Sequence, residues 1–362
     1  MSVAQQTDRA DRLAALLPEA GIDVLLVTEL VNVRYLTGYS GSNGLALVGR
    51  QLRAFITDFR YVEQAADEVE QSFERRQAPL DLLESIGEVL PEGPLRLGFE
   101  EAQVSVSEHN RLRGLLPDRV ELVAVQGLVE RLRAVKEPEE IARIREAAKL
   151  ADAALEELIA EGLIGRTERE VALALAVKMY QHGASRPSFE AIVAAGPHGA
   201  LPHASPREVE IGRGQLVVID WGAELDGYCS DCTRTLAAGE PGAQEREIYG
   251  LVLEAQLAGL HAVRAGAGGR DVDSAARELI VAAGQGEHFG HGLGHGVGLA
   301  IHEAPRLSQR SEAVLEAGNV VTVEPGVYLP GRFGVRIEDL VVVTEDGPEI
   351  MSSLSKELTS TD

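Results

Sequence analysis

Residues 216–235 read LVVIDWGAELDGYCSDCTRT. A β-branched apolar run ends in Asp220, Leu225-Asp226-Gly227 supplies turn chemistry, and Asp231 lies in the alternating segment that follows. The pattern predicts a hairpin whose two acids face one another across neighbouring strands. Like charges at that range raise each other's pKa sharply unless a cation intervenes.

Two later stretches repeat the anomaly. Residues 288–303, HFGHGLGHGVGLAIHE, set His295 among glycines, where the missing side chains let backbone approach a ligand closely. Residues 320–343, VVTVEPGVYLPGRFGVRIEDLVVV, interrupt β-rich apolar segments with Glu324 and Glu338. Unpaired buried carboxylates are costly, and a divalent ion is among the few partners that offset several at once. Asp220, Asp231, His295, Glu324 and Glu338 therefore read as one metal-ligand set. Four oxygen donors and one imidazole make a hard site, suited to Mn²⁺ and compatible with Co²⁺, Zn²⁺ or Fe²⁺. Four carboxylates balance two divalent cations and leave room for a bridging hydroxide as nucleophile. Metal coordination brings the pKa of water from 15.7 towards ~7, so the implied reaction class is metal-assisted hydrolysis.

At 362 residues the chain exceeds the usual single core, and two domains are expected. A formal net charge of −23 argues against a phosphate-binding face, so nucleic acid is not an expected partner. The N-terminal MSVAQQTDRADRLAALLPEAG has no apolar stretch of signal length and reads as an amphipathic helix. No window approaches the ~18 uninterrupted apolar residues of a membrane span. A cytoplasmic protein, with no membrane partner, is expected. Two cysteines cannot build a disulfide framework. Cys229-Ser-Asp-Cys232 formally matches a redox motif, but residues three apart on one strand point to opposite faces, about 10 Å apart. Packed thiols flanking Asp231 are expected instead.

The chain opens with a helical pattern from about Asp8 to Pro18, followed by a buried strand at 22–28. NVRYLTGYSGSNGLALV reads as turn-rich, and RAFITDFRYVEQAADEV as strand, turn and helix. PLDLLESIGEVL predicts a second helix, LRLGFE a strand, and VSVSEHNRLRGLLP a helix with a serine start signal. This alternation suggests a three-layer α/β domain over residues 1–130. The character changes from residue 131 onward. Glu139 to Glu161 predicts a long amphipathic helix, and Thr167 with Glu170 a capping box opening a helix to about His182. Glycine-punctuated strands then dominate, with helices near 244–265 and 272–283, so residues 131–362 are expected to form an α+β domain.

IDWGAELDGYCSDCTRT, GHGLGHGVGLAIHE, TVEPGVY and RIED resemble, in order and spacing, the motifs of the pita-bread metallopeptidases, which include methionine aminopeptidase, aminopeptidase P and prolidase. The resemblance covers the second domain, and the first is similar to the creatinase-type N-terminal domain of the proline-specific branch. It implies that Asp220 binds one ion, that Asp231 and Glu338 bridge both, and that His295 and Glu324 bind the other. His203, in GPHGALPHASP, is implied to hydrogen-bond the substrate or leaving amine, and His291 to line the proline side of the pocket. His302 is implied to hold the scissile carbonyl or imide nitrogen, where it stabilises developing charge. Glu324 is also implied to shuttle a proton, and Arg336 to orient the acids beside the substrate.

His291-Gly-Leu-Gly-His295 and the long N-terminal domain resemble the proline-specific branch more than methionine aminopeptidase. Cleavage after the first residue of peptides with proline second is implied, a tertiary amide lacking the N–H that ordinary peptidases use. NVRYLTGYSGSNG and TDFRYVEQA resemble segments of small bacterial aminopeptidase P proteins, and Arg34 or Arg60 are candidates to contact substrate. The expected activity is therefore an Xaa-Pro aminopeptidase of the aminopeptidase P type, with an Xaa-Pro dipeptidase (prolidase) as the alternative. A dipeptidase needs a cation for the carboxylate beside proline and a wall behind it. Metal-free creatinase-like or binding homologues keep this fold without several of the five ligands, all of which are present here. The family usually forms dimers, so a homodimer is implied.

Overall fold

The computed structural model describes residues 8–361, and the chain divides into two compact units, Met1–Arg133 and Ala134–Asp362. In the first unit, β1 (Val24–Val27), β2 (Leu45–Gly49), β3 (Arg53–Asp58), β4 (Glu74–Ala78), β5 (Leu95–Glu100) and β6 (Val120–Val125) form one sheet. Their order is β4-β3-β2-β1-β5-β6. β2 runs antiparallel to β1 and β3, and the other pairings are parallel. The VLLV of β1 is apolar without alternation and buried throughout, as a strand covered on both faces requires.

Two local expectations are corrected in this unit. The stretch read as turn-rich contains a helix, Leu30–Thr37, which starts where the Glu29 carboxylate accepts from the Val31 amide. Burial of Val33, Tyr35 and Leu36 outweighs the low helix propensity of its β-branched residues. PLDLLESIGEVL is not one helix. A 3₁₀ turn at Leu82–Ser85, capped by Asp81, hands over to a single α-turn at Ile86–Val89, and Pro91 bars continuation.

In the second unit, the Pro138–Glu161 helix opens with Pro138 in its first turn, and the Glu168–Gln181 helix with a reciprocal Thr167/Glu170 capping box. The strands are β7 (Arg186–Pro187), β8 (Ile192–Ala195), β9 (Gln215–Trp221), β10 (Ala223–Leu225), β11 (Tyr228–Cys229), β12 (Cys232–Ala238) and β13 (Gly294–Gly296). There follow β14 (Glu303–Leu307), β15 (Val320–Val323), β16 (Gly326–Leu329), β17 (Phe333–Arg336), β18 (Asp339–Thr344), β19 (Gly347–Ile350) and β20 (Ser360–Thr361). They assemble as β11-β10-β7, β20-β12-β9-β8, β14-β13-β15-β18-β19 and the hairpin β16-β17. Trp221 is buried beneath the Pro138–Glu161 helix and donates Nε1 to the Ala151 carbonyl at 2.9 Å. A second apolar core joins Val252, Ala255, Val272 and Ala276 of the Ala243–Ala262 and Gly269–Ala282 helices to Val321 and Val341.

The hairpin turn falls at Asp226 and Gly227, whose φ values of 50° and 83° are the pair of left-handed residues that a two-residue turn demands. Its partner strand is broken, however. Ser230 donates its amide to the Ala223 carbonyl and accepts the Ala223 amide on Oγ, which takes residues 230 and 231 out of the ladder. Asp220 is consequently paired with Thr233, not Asp231. The same step puts Cys229 and Cys232 at the ends of two separate strands, both buried and free.

Candidate metal centre

Five chain segments converge on one cluster. β9 carries Asp220, the step before β12 carries Asp231, and β13 carries His295; Glu324 follows β15 and Glu338 lies between β17 and β18. Oxygens of Asp220, Asp231 and Glu338 all lie within 4.8 Å of one another. His295 Nε2 stands 3.5 Å from Asp231 Oδ2 and 3.3 Å from Glu324 Oε1. β13 can wedge between its neighbours only because Gly294 and Gly296 flank the histidine: a Cβ there would collide with the Thr322 or Ala304 carbonyl.

The donor set fits divalent cations. Asp220 Oδ1 and Glu338 Oε1 are buried with no hydrogen-bond partner, which is costly for a carboxylate unless a cation meets it. Burial raises the pKa of Asp220. It pushes Asp231 and Glu338 well above the carboxylate range, and the neighbouring acids add to the effect. Burial also opposes ionisation of Glu324, but the hydrogen bond and charge of His295 outweigh it and bring that carboxyl down to about 2. The Nδ1 of His295 lies 3.1 Å from the Gly296 carbonyl, which leaves Nε2 as the ring atom that faces the Asp231 and Glu324 carboxylates. A cation shared by this imidazole and the four acids would meet the unpartnered oxygens of Asp220 and Glu338. The residues that would hold it are Asp220, Asp231, His295, Glu324 and Glu338.

A hydrogen-bonded frame fixes the ligands. Arg336, buried, donates Nη2 to Asp220 Oδ2 at 2.7 Å, Nε to Thr233 Oγ1 at 3.0 Å, and Nη1 to Tyr328 Oη at 2.9 Å and the Pro202 carbonyl at 3.1 Å. Thr233 in turn donates its hydroxyl to Glu338 Oε2 at 2.6 Å. Tyr328 is a residue the sequence reading missed. Its hydroxyl accepts from Arg336 and lies 2.9 Å from His291 Nε2, while His291 Nδ1 faces the Gly292 carbonyl at 2.8 Å. His291 is thus locked as a neutral wall whose ring meets Phe289 edge-on at 5.1 Å.

The cluster opens into a cavity of about 620 Å³, lined among others by Phe189, Ile192, His203, His291, His302 and Arg306. The His302 ring packs edge-on against His295 at 4.4 Å. Burial, then the charges of His295 and Arg306, lower the pKa of His302. His203 sits exposed on the loop after the Gly196–Ala200 turn. Arg306, also missed by the sequence reading, is opposite His295 in the β13/β14 register. Its side chain forms no ion pair or hydrogen bond with another described residue. No local signal marks it: along β14 Glu303, Pro305 and Leu307 are buried and Ala304 and Arg306 exposed, an order that the residue types do not follow.

Arg34 and Arg60 belong to the N-terminal unit. The Arg60 guanidinium forks onto Asp58, with Nε 2.9 Å from Oδ1 and Nη2 2.8 Å from Oδ2. Arg34 lies on the Leu30–Thr37 helix, and the cavity is lined by residues of the second unit. Burial pushes the Cys229 thiol up to about 12 and Cys232 well above its ordinary value. Cys232 Sγ donates to the Glu338 carbonyl at 3.3 Å and so packs behind a ligand.

Residues 142–345 match the model of metallopeptidase family M24, and residues 9–135 that of the creatinase/prolidase N-terminal domain. The chain belongs to metallopeptidase family M24. An Xaa-Pro dipeptidase of Pyrococcus furiosus is 37% identical over 97% of this chain and 99% of its own length. The solved Xaa-Pro dipeptidase from Bacillus anthracis is 42% identical, with a TM-score of 0.94 over 97% of this chain and 99% of that one. The X-Pro aminopeptidase structure from Thermotoga maritima is 36% identical, with a TM-score of 0.89 over 98% of this chain and 100% of that one. This M24 chain is a metal-dependent hydrolase with the creatinase-type and pita-bread domains of its family. No described helix is long and apolar enough to cross a membrane.

Proposed function

We propose that this chain is an Xaa-Pro dipeptidase of the prolidase type, acting with two divalent ions, Mn²⁺ foremost, at Asp220, Asp231, His295, Glu324 and Glu338. This reverses the preference for aminopeptidase P drawn from the N-terminal segments. Of the three relatives above, two carry dipeptidase names and one an aminopeptidase name. The observation that carries the reading is Arg306, a cation in the cavity wall without a partner among the described residues, opposite His295 in the strand register. A dipeptide brings a carboxylate beside the proline ring. A longer peptide brings a neutral amide there and leaves the guanidinium unmatched. A charge-assisted hydrogen bond of this kind favours the dipeptide by about 1.5–3 kcal/mol.

Divalent ions at these ligands supply Lewis acidity and a water made acidic enough to attack at neutral pH. The protein's own groups do the rest. His302, neutral because burial lowers its pKa, donates its N–H to the scissile carbonyl oxygen as negative charge develops. Glu324 stays ionised; Thr322 Oγ1 donates to its Oε1 at 3.1 Å, and Oε2 takes the proton of the attacking water and delivers it to the proline nitrogen as the C–N bond breaks. The His291 ring, held by Tyr328, walls the pyrrolidine, and His203 hydrogen-bonds the substrate from its loop. Nothing in this arrangement requires an N–H on the scissile nitrogen, which an Xaa-Pro bond lacks.

Hydrolysis of Leu-Pro and Leu-Pro-Ala by the Mn²⁺-loaded enzyme tests the reading. A clear preference for the dipeptide is expected. Equal or faster release of leucine from the tripeptide would restore the aminopeptidase P assignment.

A further inference from the structure

One buried carboxylate outside the ligand cluster grips both ends of a cavity wall. Glu168 is fully buried in the first turn of the Glu168–Gln181 helix. Its Oε1 accepts from the Ala195 amide at 3.0 Å. His198 Nδ1 lies 3.0 Å from Oε1 and 2.8 Å from Oε2. Arg207 donates its amide to Oε2 at 3.0 Å, Nε to Oε2 at 3.2 Å, and Nη2 to Oε1 at 3.3 Å.

Between these anchors the chain runs through Pro202, His203, Ala204, Ser205 and Pro206, every one of which lines the cavity. Among the described residues, the amides of His203, Ala204 and Ser205 donate no hydrogen bond to protein. Among the described residues, the bonds of Leu201 N–H to the His198 carbonyl at 3.0 Å and of Arg336 to the Pro202 carbonyl at 3.1 Å are what hold the loop between its ends, and the Arg207 carbonyl also accepts the Arg169 amide at 3.1 Å. Burial opposes ionisation of Glu168, yet its bonds to Arg207, Ala195 and His198 prevail and keep the carboxylate charged. Charge-assisted bonds to three separated points of one loop resist its displacement more than neutral contacts do.

We propose that Glu168 is a positioning residue: its carboxylate fixes the 195–207 loop so that His203 is presented to the substrate at working distance. The inference rests on the reading of His203 as a substrate-contacting group. Displacement of such a group by about 1 Å is enough to cost about 10²-fold in rate.

A double-mutant cycle on the metal-loaded enzyme with Leu-Pro tests this, following kcat, KM, metal content and melting temperature for Glu168→Gln, His203→Ala and the double variant. Glu168→Gln keeps the side-chain size but turns one acceptor into a donor facing His198 and Arg207. The expected result is a fall in kcat of about 10–100-fold with metal content unchanged. In the His203→Ala background the same substitution should cost less than about 2-fold, because both act through one group. A merely structural role would shift the melting temperature and leave the two rate losses multiplicative; that outcome, or wild-type kcat in folded Glu168→Gln, overturns the proposal. If Glu168→Gln fails to fold, Arg207→Met removes the two guanidinium bonds of one anchor from the exposed side. Its kcat loss must likewise vanish in the His203→Ala background, and a multiplicative loss overturns the proposal equally. A His203→Ala enzyme with wild-type kcat refutes the reading of His203 itself, a result separable from the others.

Discussion

Arg336 holds Asp220 through a 2.7 Å bond from Nη2 to Oδ2, and through Thr233 the same guanidinium reaches Glu338 as well. One planar cation thus sets the orientation of two acids that come from different strands. An ammonium cannot occupy four partners in fixed directions. Arg336→Lys should therefore weaken metal binding about 10–100-fold, read by calorimetric titration of the metal-free protein. Arg336→Met, which leaves Asp220 buried without its ion pair, should cost the metal-free protein about 3–5 kcal/mol in denaturant unfolding.

The ligands and the histidines should separate by metal content. Asp231→Asn and Glu338→Gln are expected to lose bound metal together with turnover. His302→Ala should keep its metal and lose about 10²–10³-fold in kcat, the usual cost of one donor to developing charge. Elemental analysis of each purified variant distinguishes the two classes, and metal loss from His302→Ala would show it to be a ligand. Chelator dialysis should abolish activity and Mn²⁺ restore it.

Arg306→Gln should raise KM for Leu-Pro by about 10–100-fold, the worth of one charged hydrogen bond. Leu-Pro-amide, which carries no carboxylate, should be turned over by the variant and the wild type with nearly equal kcat/KM. An equal loss on both substrates would place the arginine elsewhere in the reaction.

The two thiols should be inert in the native enzyme. Burial raises the Cys229 pKa to about 12, so at pH 8 only about one thiol in 10⁴ is ionised, and Cys232 is suppressed in the same direction. Iodoacetamide at pH 8 should label neither until guanidinium unfolds the chain, after which both react. A Cys229→Ser/Cys232→Ser double variant should stay active.

The helices begun by Thr167 and Ser105 were legible because their capping boxes are local, and the structure closes both. The helix at Leu30–Thr37 was not, since burial of Val33, Tyr35 and Leu36 decides it against propensity. The turn at Asp226-Gly227 was legible for the reason that few residues tolerate two left-handed conformations in succession. The break after it was not, because a Ser230 bond to Ala223 removes Asp231 from the ladder and no local pattern announces it.

By itself the sequence determined which residues are the candidates for the chemistry: acids and a glycine-flanked histidine ending apolar runs are costly in a folded chain unless a cation meets them. Only the tertiary structure decided what surrounds them. Tyr328 behind His291, Arg306 opposite His295 and Glu168 beneath the His203 loop depend on pairings between segments far apart in the chain. A side chain's type is written locally, but its hydrogen-bond partner is chosen by packing, and charge acts only where packing brings it.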